Sequence, residues 1–226
     1  MSSSAQCTWD TPGFREYHRR MQLFILLYIE GGSYIQEEEE TWEFAVLFEK
    51  RKRRTAPHLA TYHFVGYSSL YPFYCFPEKV RLRLRLVILF HPLVHDAYCW
   101  YGSQFVILPP YQRGGHGSEL YGAIYRYVLA QPNIAELTVE DPAEAFEDLR
   151  DKNDLIMLLT HKQFLEEAFG EPVSYGGGRV GGVGKAGRAG RGGKENEAKG
   201  KIVPPSDKAW LEKWRKDLKI AGVRTL

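Results

Sequence analysis

The apolar positions of this chain change period several times, and each change predicts an element. Between residues 15 and 29, Tyr17, Met21, Phe24 and Tyr28 recur at helical spacing, and Gly31 and Gly32 close the stretch. Residues 42–48 (WEFAVLF) are dense in aromatic and branched side chains and predict a strand. Residues 62–71 predict the returning strand of an antiparallel hairpin, with Gly66 as a bulge or close-packing point. The basic residues 50–57 form the turn between them, and residues 73–79 a loop. Residues 81–86 (RLRLRL) alternate basic and apolar, so one face is wet and one buried. A buried strand follows at 104–108, then a helix at 116–129 and a strand at 137–139 that Pro142 stops. Helices are predicted at 143–150, 155–169 and 206–220. The first 14 residues read as disordered. Residues 170–205 form a Gly-, Lys- and Arg-rich linker that cannot bury enough surface to fold. The pattern as a whole is α+β.

Composition narrows the class. The chain has 226 residues, 44% hydrophobic and 14% aromatic, enough for one domain with a core. A net charge of +2 does not call for nucleic acid. The distribution says more, because eight acids crowd residues 136–154 against Arg150 and Lys152. Cys7, Cys75 and Cys99 are too few for a disulfide framework and suit a reducing compartment. The start lacks signal-peptide character, and the apolar runs at 21–29 and 86–90 are too short to span a bilayer. The expectation is a soluble intracellular protein. His91, His95 and Cys99 have ligand-like spacing, but three residues with Pro92 between the first two do not complete a structural zinc site, so no metal is expected.

The chemistry centres on residues 103–118, SQFVILPPYQRGGHGS. A strand ends at Pro109 and Pro110, and a glycine loop then opens a helix. Free N–H groups and the helix dipole make such a place suited to a phosphate or pyrophosphate. Gln112, Gly115 and Gly117 fit the Gln-x-x-Gly-x-Gly coenzyme-A signature of the GNAT acetyltransferases. With LTVEDP at 137–142, LRDKND at 149–154, YHRRMQLFILLYIEGGSYI and WEFAVLFEK, the chain resembles the type B histone acetyltransferase catalytic subunits in their fungal form.

The resemblance covers most of residues 16–169 and implies a GNAT fold: a mixed, mainly antiparallel sheet flanked by helices and splayed at the acetyl-CoA site. It makes residues 15–169 the acetyltransferase domain and residues 206–226 the remnant of a helical C-terminal region. In the family the strand at 81–86 runs directly into the one at 104–108, so residues 86–102 are read as an insertion. The backbone of Val106, Ile107 and Leu108 would pair with the pantetheine amides. Arg113, Gly114, Gly115, His116, Gly117, Ser118 and Glu119 would take the pyrophosphate. Ala143 and Lys152 match two further cofactor contacts; Ala143 replaces an asparagine found in some members, and Lys152 replaces an arginine without its fork. Glu140 matches the general base, with Asp141 and Glu30 as neighbouring acids. The implied partners are a core histone tail, mainly that of histone four, and a WD-repeat histone chaperone. The implied compartments are nucleus and cytoplasm. Three rival readings are a GNAT enzyme acting on another amine, an inactive gene product, and RNA binding by the glycine-rich tail. The acids at 136–154 favour a basic peptide over a small amine, and the tail lacks the aromatic residues that stack on bases.

Overall fold

In the computed structural model, residues 2–29, 33–53, 58–75, 79–85, 104–140, 142–170, 200–202 and 205–221 are described. The backbone but not the side chains is described for residues 74–75, 83–85 and 140. The chain divides into two compact units, Met1–Asn153 with Arg215–Leu226, and Asp154–Trp214.

The first unit is built on a mixed, mainly antiparallel sheet. Its strands are β1 (Ser2–Thr8), β2 (Glu43–Lys52), β3 (Ala60–Cys75), β4 (Lys79–Arg85), β5 (Phe105–Ile107) and β6 (Ile134–Glu140). They follow the order β1-β2-β3-β4-β6, with β5 also on β3. Among the described strands, only the β4–β6 pair is parallel. Helix α1 (Phe14–Tyr28) and helix α2 (His116–Ala130) pack on the sheet. β2 is buried on both faces, as Phe44, Ala45, Val46 and Leu47 are all at most 1% exposed. Alternation sends Phe44 and Val46 into the α1 core with Met21, Ile25, Trp42 and Tyr67. Ala45 and Leu47 take the other face, and α2 contacts β2.

Three expectations are corrected. The first 14 residues are ordered into the fold: β1 pairs along β2 from Ser2↔Glu49 to Thr8↔Glu43, and Trp9 and Phe14 are core residues. The polar string SSSAQCT hid this, because an edge strand is held by its backbone and needs little apolar surface. Lys50, Arg51 and Lys52 extend β2 instead of forming the turn. The helix expected to stop at 150 continues as α3 (Glu144–Thr160), and His161 separates it from α4 (Lys162–Phe169). His161 caps α4, its Nδ1 accepting from the Phe164 N–H at 3.3 Å.

The bulge expected near Gly66 is present. Leu47 pairs with Gly66 and Phe48 with Phe64, leaving Val65 as the extra residue. A Cβ on Gly66 would collide with the carbonyl oxygen of Val106 in β5. β4 and β5 lie one after the other along the same edge of β3. The β4 ladder reaches Tyr71↔Arg83, and Ser69 already donates to the Gln104 carbonyl at 2.8 Å. Residues 86–103 between them lie outside the described residues, as do His91, His95 and Cys99.

Helix α5 (Lys208–Asp217) crosses the division between units. Its last turn and the residues after it belong to the first unit. Arg215 bonds Glu136 at 3.0 Å, the Lys219 carbonyl accepts from Leu137, and Lys219 Nζ caps the end of α2 at the Val128 carbonyl, 2.7 Å away. In the second unit, the Glu167 carboxylate accepts from the indoles of Trp210 and Trp214 at 2.6 and 3.0 Å. These bonds, with a third from Gln163, hold its pKa down to about 2. Among the described residues, no helix is long and apolar enough to cross a membrane.

Candidate active site

The site begins with the parity of β5. Ser69 donates to Gln104, and Leu108 donates to Val65 at 2.9 Å. Hydrogen-bonded pairs alternate in an antiparallel ladder, so the intervening bonded pair is Tyr67 with Val106. The N–H and C=O groups of Phe105 and Ile107 therefore point away from β3. β6 pairs with β4 up to Arg85↔Glu140, and β5 pairs with β3 alone among the described residues. Among the described residues, the side of β5 that faces away from β3 carries no strand. Val106, predicted to offer its backbone, is instead committed to Tyr67 and buried, 5% exposed. The groups turned outward belong to Phe105 and Ile107.

Beyond β5, Pro109–Tyr111 forms a 3-10 turn, and Gln112 donates its side-chain amide to the Ile107 carbonyl at 2.9 Å. Arg113 and Gly115 then take left-handed backbone, with φ of 60° and 84°. Gly115 is the N-cap of α2, and its carbonyl accepts from Glu119 at 3.1 Å. Its conformation is one that glycine adopts without strain. The N–H groups of the first turn have no partner within the helix and add to the positive end of the dipole. His116, Gly117, Ser118 and Glu119 form that turn, so the predicted pyrophosphate residues lie together.

Gly117 has a second use. A Cβ there would lie 2.5 Å from Leu149 Cδ1, so the small residue brings α3 close to the loop. Asn153 donates to Ser118 Oγ at 3.0 Å, and Phe146 packs its ring against Phe105 with centroids 4.9 Å apart. Leu149 and Asn153 are one turn apart, and that spacing in the LRDKND run was the signal for this contact. Neither Asn153 nor Gln104, described below, was singled out from sequence. Ala143 opens α3, its carbonyl accepting from Phe146 and Glu147 at 2.8 and 3.0 Å. Lys152 is exposed on the same helix. Glu144, Glu147 and Asp148 are exposed near its start, and Glu136 is taken up by Arg81 and Arg215.

Glu140 is the last residue of β6, and its backbone pairs with Arg85. Asp141 and Glu30, the other two predicted acids, lie outside the described residues. No group of His, Cys, Asp or Glu side chains that could hold a metal is found among the described residues.

These features define the class: an α+β chain with a mixed, mainly antiparallel sheet, in which a strand, a glycine loop and a helix follow one another. Residues 4–30 match the family described as "Histone acetyl transferase HAT1 N-terminus". The chain is similar in sequence to curated type B histone acetyltransferase catalytic subunits. It is 58% identical to the one from Cryptococcus neoformans over 154 residues, 68% of this chain and 32% of that protein. Identity to the Mycosarcoma maydis subunit is 44% over 214 residues, 95% of this chain and 37% of that protein. The human subunit is 36% identical over 139 residues, 62% of this chain and 28% of that protein. The chain thus spans about a third of the length of the curated relatives it matches. Among solved structures, an aminoglycoside acetyltransferase from a soil metagenome superposes with a TM-score of 0.41 and 12% identity, covering 83% of this chain and 97% of that one.

Proposed function

We propose that this chain is the acetyl-transfer part of a type B histone acetyltransferase, moving an acetyl group from acetyl-CoA to lysine amines of free core histones, mainly the tail of histone four. The carrying observation is the 58% identity to a type B catalytic subunit, in a chain whose β5 turns the backbone of Phe105 and Ile107 away from β3, next to the glycine loop that opens α2.

The residues present fit the co-substrate. The outward backbone of Phe105 and Ile107 offers a strand-like edge for the pantetheine amides. The N–H groups of residues 113–119 and the dipole of α2 receive the pyrophosphate. Lys152 adds a point charge from α3. When bound, the thioester supplies an activated acetyl group. The acceptor lysine has a pKa of about 10.4 and arrives protonated. Glu140, at the end of β6, takes that proton directly or through water, and Asp141 and Glu30 are the further candidate acids. The neutral amine then forms the new C–N bond while the C–S bond breaks, and the thiolate leaves and takes up a proton. Glu144, Glu147 and Asp148 give the approach a negative potential suited to a basic tail. A WD-repeat histone chaperone is the proposed partner, and nucleus and cytoplasm are the proposed compartments.

The test is acetyl transfer to a histone-four tail peptide by the chain and by Glu140→Gln. The variant is expected to bind acetyl-CoA as before and to turn over about 10²–10⁴-fold more slowly. An unchanged rate and pH profile would move the base elsewhere.

A further inference from the structure

β1 stands first in the strand order and, among the described residues, pairs on one side only, with β2. Two observations fix which of its backbone groups face outward. The Thr8 N–H donates to Thr11 Oγ1 at 3.0 Å, and the Thr8 carbonyl accepts from the Thr11 N–H at 3.1 Å, so Thr8 gives neither group to β2. Across the sheet, Tyr67 turns its backbone to Val106 of β5. Val46, opposite Tyr67, therefore turns to β1 and bonds with Ala5. Both observations give one parity. Ser3, Ala5 and Cys7 bond to β2, while Ser2, Ser4 and Gln6 present their N–H and C=O groups outward.

Native sheets guard such an edge with charges, proline, a bulge or a covering segment. Ser2–Thr8 holds no charged residue and no proline, and its register with β2 runs unbroken from Ser2↔Glu49 to Thr8↔Glu43. Ser3, Ser4, Ala5 and Gln6 are exposed. The edge is also self-complementary. Antiparallel pairing of two copies with Ser4 opposite Ser4 places Ser2 of each opposite Gln6 of the other, so every outward residue enters a bonded pair. Ser3 then faces Ala5, and these side chains are small. The ends match in charge as well. Beyond the level of Ser2, β2 carries the exposed Lys50, Arg51 and Lys52, and just past Thr8 lies the exposed Asp10. Antiparallel pairing brings the basic end of one copy toward Asp10 of the other.

We propose that β1 pairs with β1 of a second copy of this chain, antiparallel about a two-fold axis at Ser4, joining two sheets into one. Pairing of this kind is independent of acetyl transfer, yet it reaches the same loop. Ser2 Oγ lies 3.5 Å from His116 Nδ1, so Ser2 points to the face of the sheet on which α2 lies. Residues opposite each other across two strands share a face, and Gln6 of the second copy therefore stands beside the first turn of α2.

The test is sedimentation of the full chain from about 1 μM to about 1 mM, the span in which weak pairs form. Ser4→Pro removes an outward N–H and leaves the ladder with β2 intact, because an edge strand tolerates proline on its open side. Ser4→Lys sets two like charges against each other at the axis. It changes only an exposed side chain, so it decides the question even where Ser4→Pro fails to fold. The parent should pass from monomer to dimer, and each folded variant should need at least about tenfold more protein to do so, since two bonds at the axis are lost or opposed. Ser4→Cys checks the register. A bonded pair holds its Cα atoms about 5.5 Å apart, within disulfide reach, so oxidised glutathione should yield a covalent dimer through that position. A parent that stays monomeric at every concentration overturns the proposal and leaves the edge to some other chain. So does a dimer that Ser4→Lys leaves within about twofold of the parent. Failure of Ser4→Cys to form the covalent dimer likewise overturns it, by placing the contact elsewhere.

Discussion

The two sides of β5 are built by different means. The proposed cofactor side, residues 105–119, is made of backbone. Its defining features are the backbone groups of Phe105 and Ile107 that point away from β3, the left-handed Gly115, and the close approach of Gly66 to Val106. The opposite side, between α1 and β2, is made of side chains. There Gln104 and Gln22 hold residues 33–36, Arg15 donates to the Glu37 carbonyl, and Arg19 grips the Glu37 carboxylate at 2.7 Å. Trp9 donates to the Glu39 carbonyl and Trp42 to its carboxylate. A backbone site serves an invariant ligand, whose amides and phosphates do not change between substrates. A side-chain site can be altered residue by residue.

The largest expected effect comes from attacking the backbone side. Gly66→Ala drives a methyl group into the Val106 carbonyl, and neither backbone can yield without opening the β3–β5 ladder. Overpacking typically costs about 1–3 kcal/mol, and a backbone collision belongs at or above the top of that range. A thermal midpoint unchanged from the parent protein would show that β5 is not seated on β3 at this point.

The side-chain side is tested next, through His18. It is fully buried among the rings of Trp9, Phe44, Phe14 and Tyr67, and neither ring nitrogen has a hydrogen-bond partner among the described residues. Burial lowers its pKa from 6.5 to about 4, with Glu37 opposing the shift. The unfolded chain takes up the proton near pH 6.5 and the folded one only near pH 4, so stability is lost as pH falls through that window. The difference corresponds to roughly 3 kcal/mol. In denaturant titrations at pH 7 and pH 4.5, His18→Leu should lose less stability on acidification than the parent. Equal losses would show that His18 is protonated inside the fold.

The same contrast explains what could be read from the sequence. The helix opening at His116, the glycine loop, the hairpin and the bulge at Gly66 are local, and each carries its signal in a few neighbouring residues. β1 carried no such signal, since Ser2–Thr8 is held by a partner strand more than thirty residues away. The acidic run at 37–40 reads as a solvated patch, yet Glu37 and Glu39 are bound by Arg19 of α1, by Trp42 just before β2 and by Trp9 of the β1–α1 turn. Gln104 looked like one more polar residue at a strand start, and its partners Ser33 and Tyr67 are 71 and 37 residues away. The outward groups of Phe105 and Ile107, in place of Val106, followed only from the register with β3.

The most direct measurement is calorimetric titration of acetyl-CoA into the chain and into Gly115→Asp. Gly115 is the N-cap of α2 with φ of 84°, so aspartate there adds backbone strain of about 1–2 kcal/mol and a negative charge at the proposed pyrophosphate site. Binding at one site in the parent, weakened at least about tenfold in the variant, is the predicted result. Equal affinity in the two proteins would contradict the assignment of the β5–α2 loop as the place where acetyl-CoA is held.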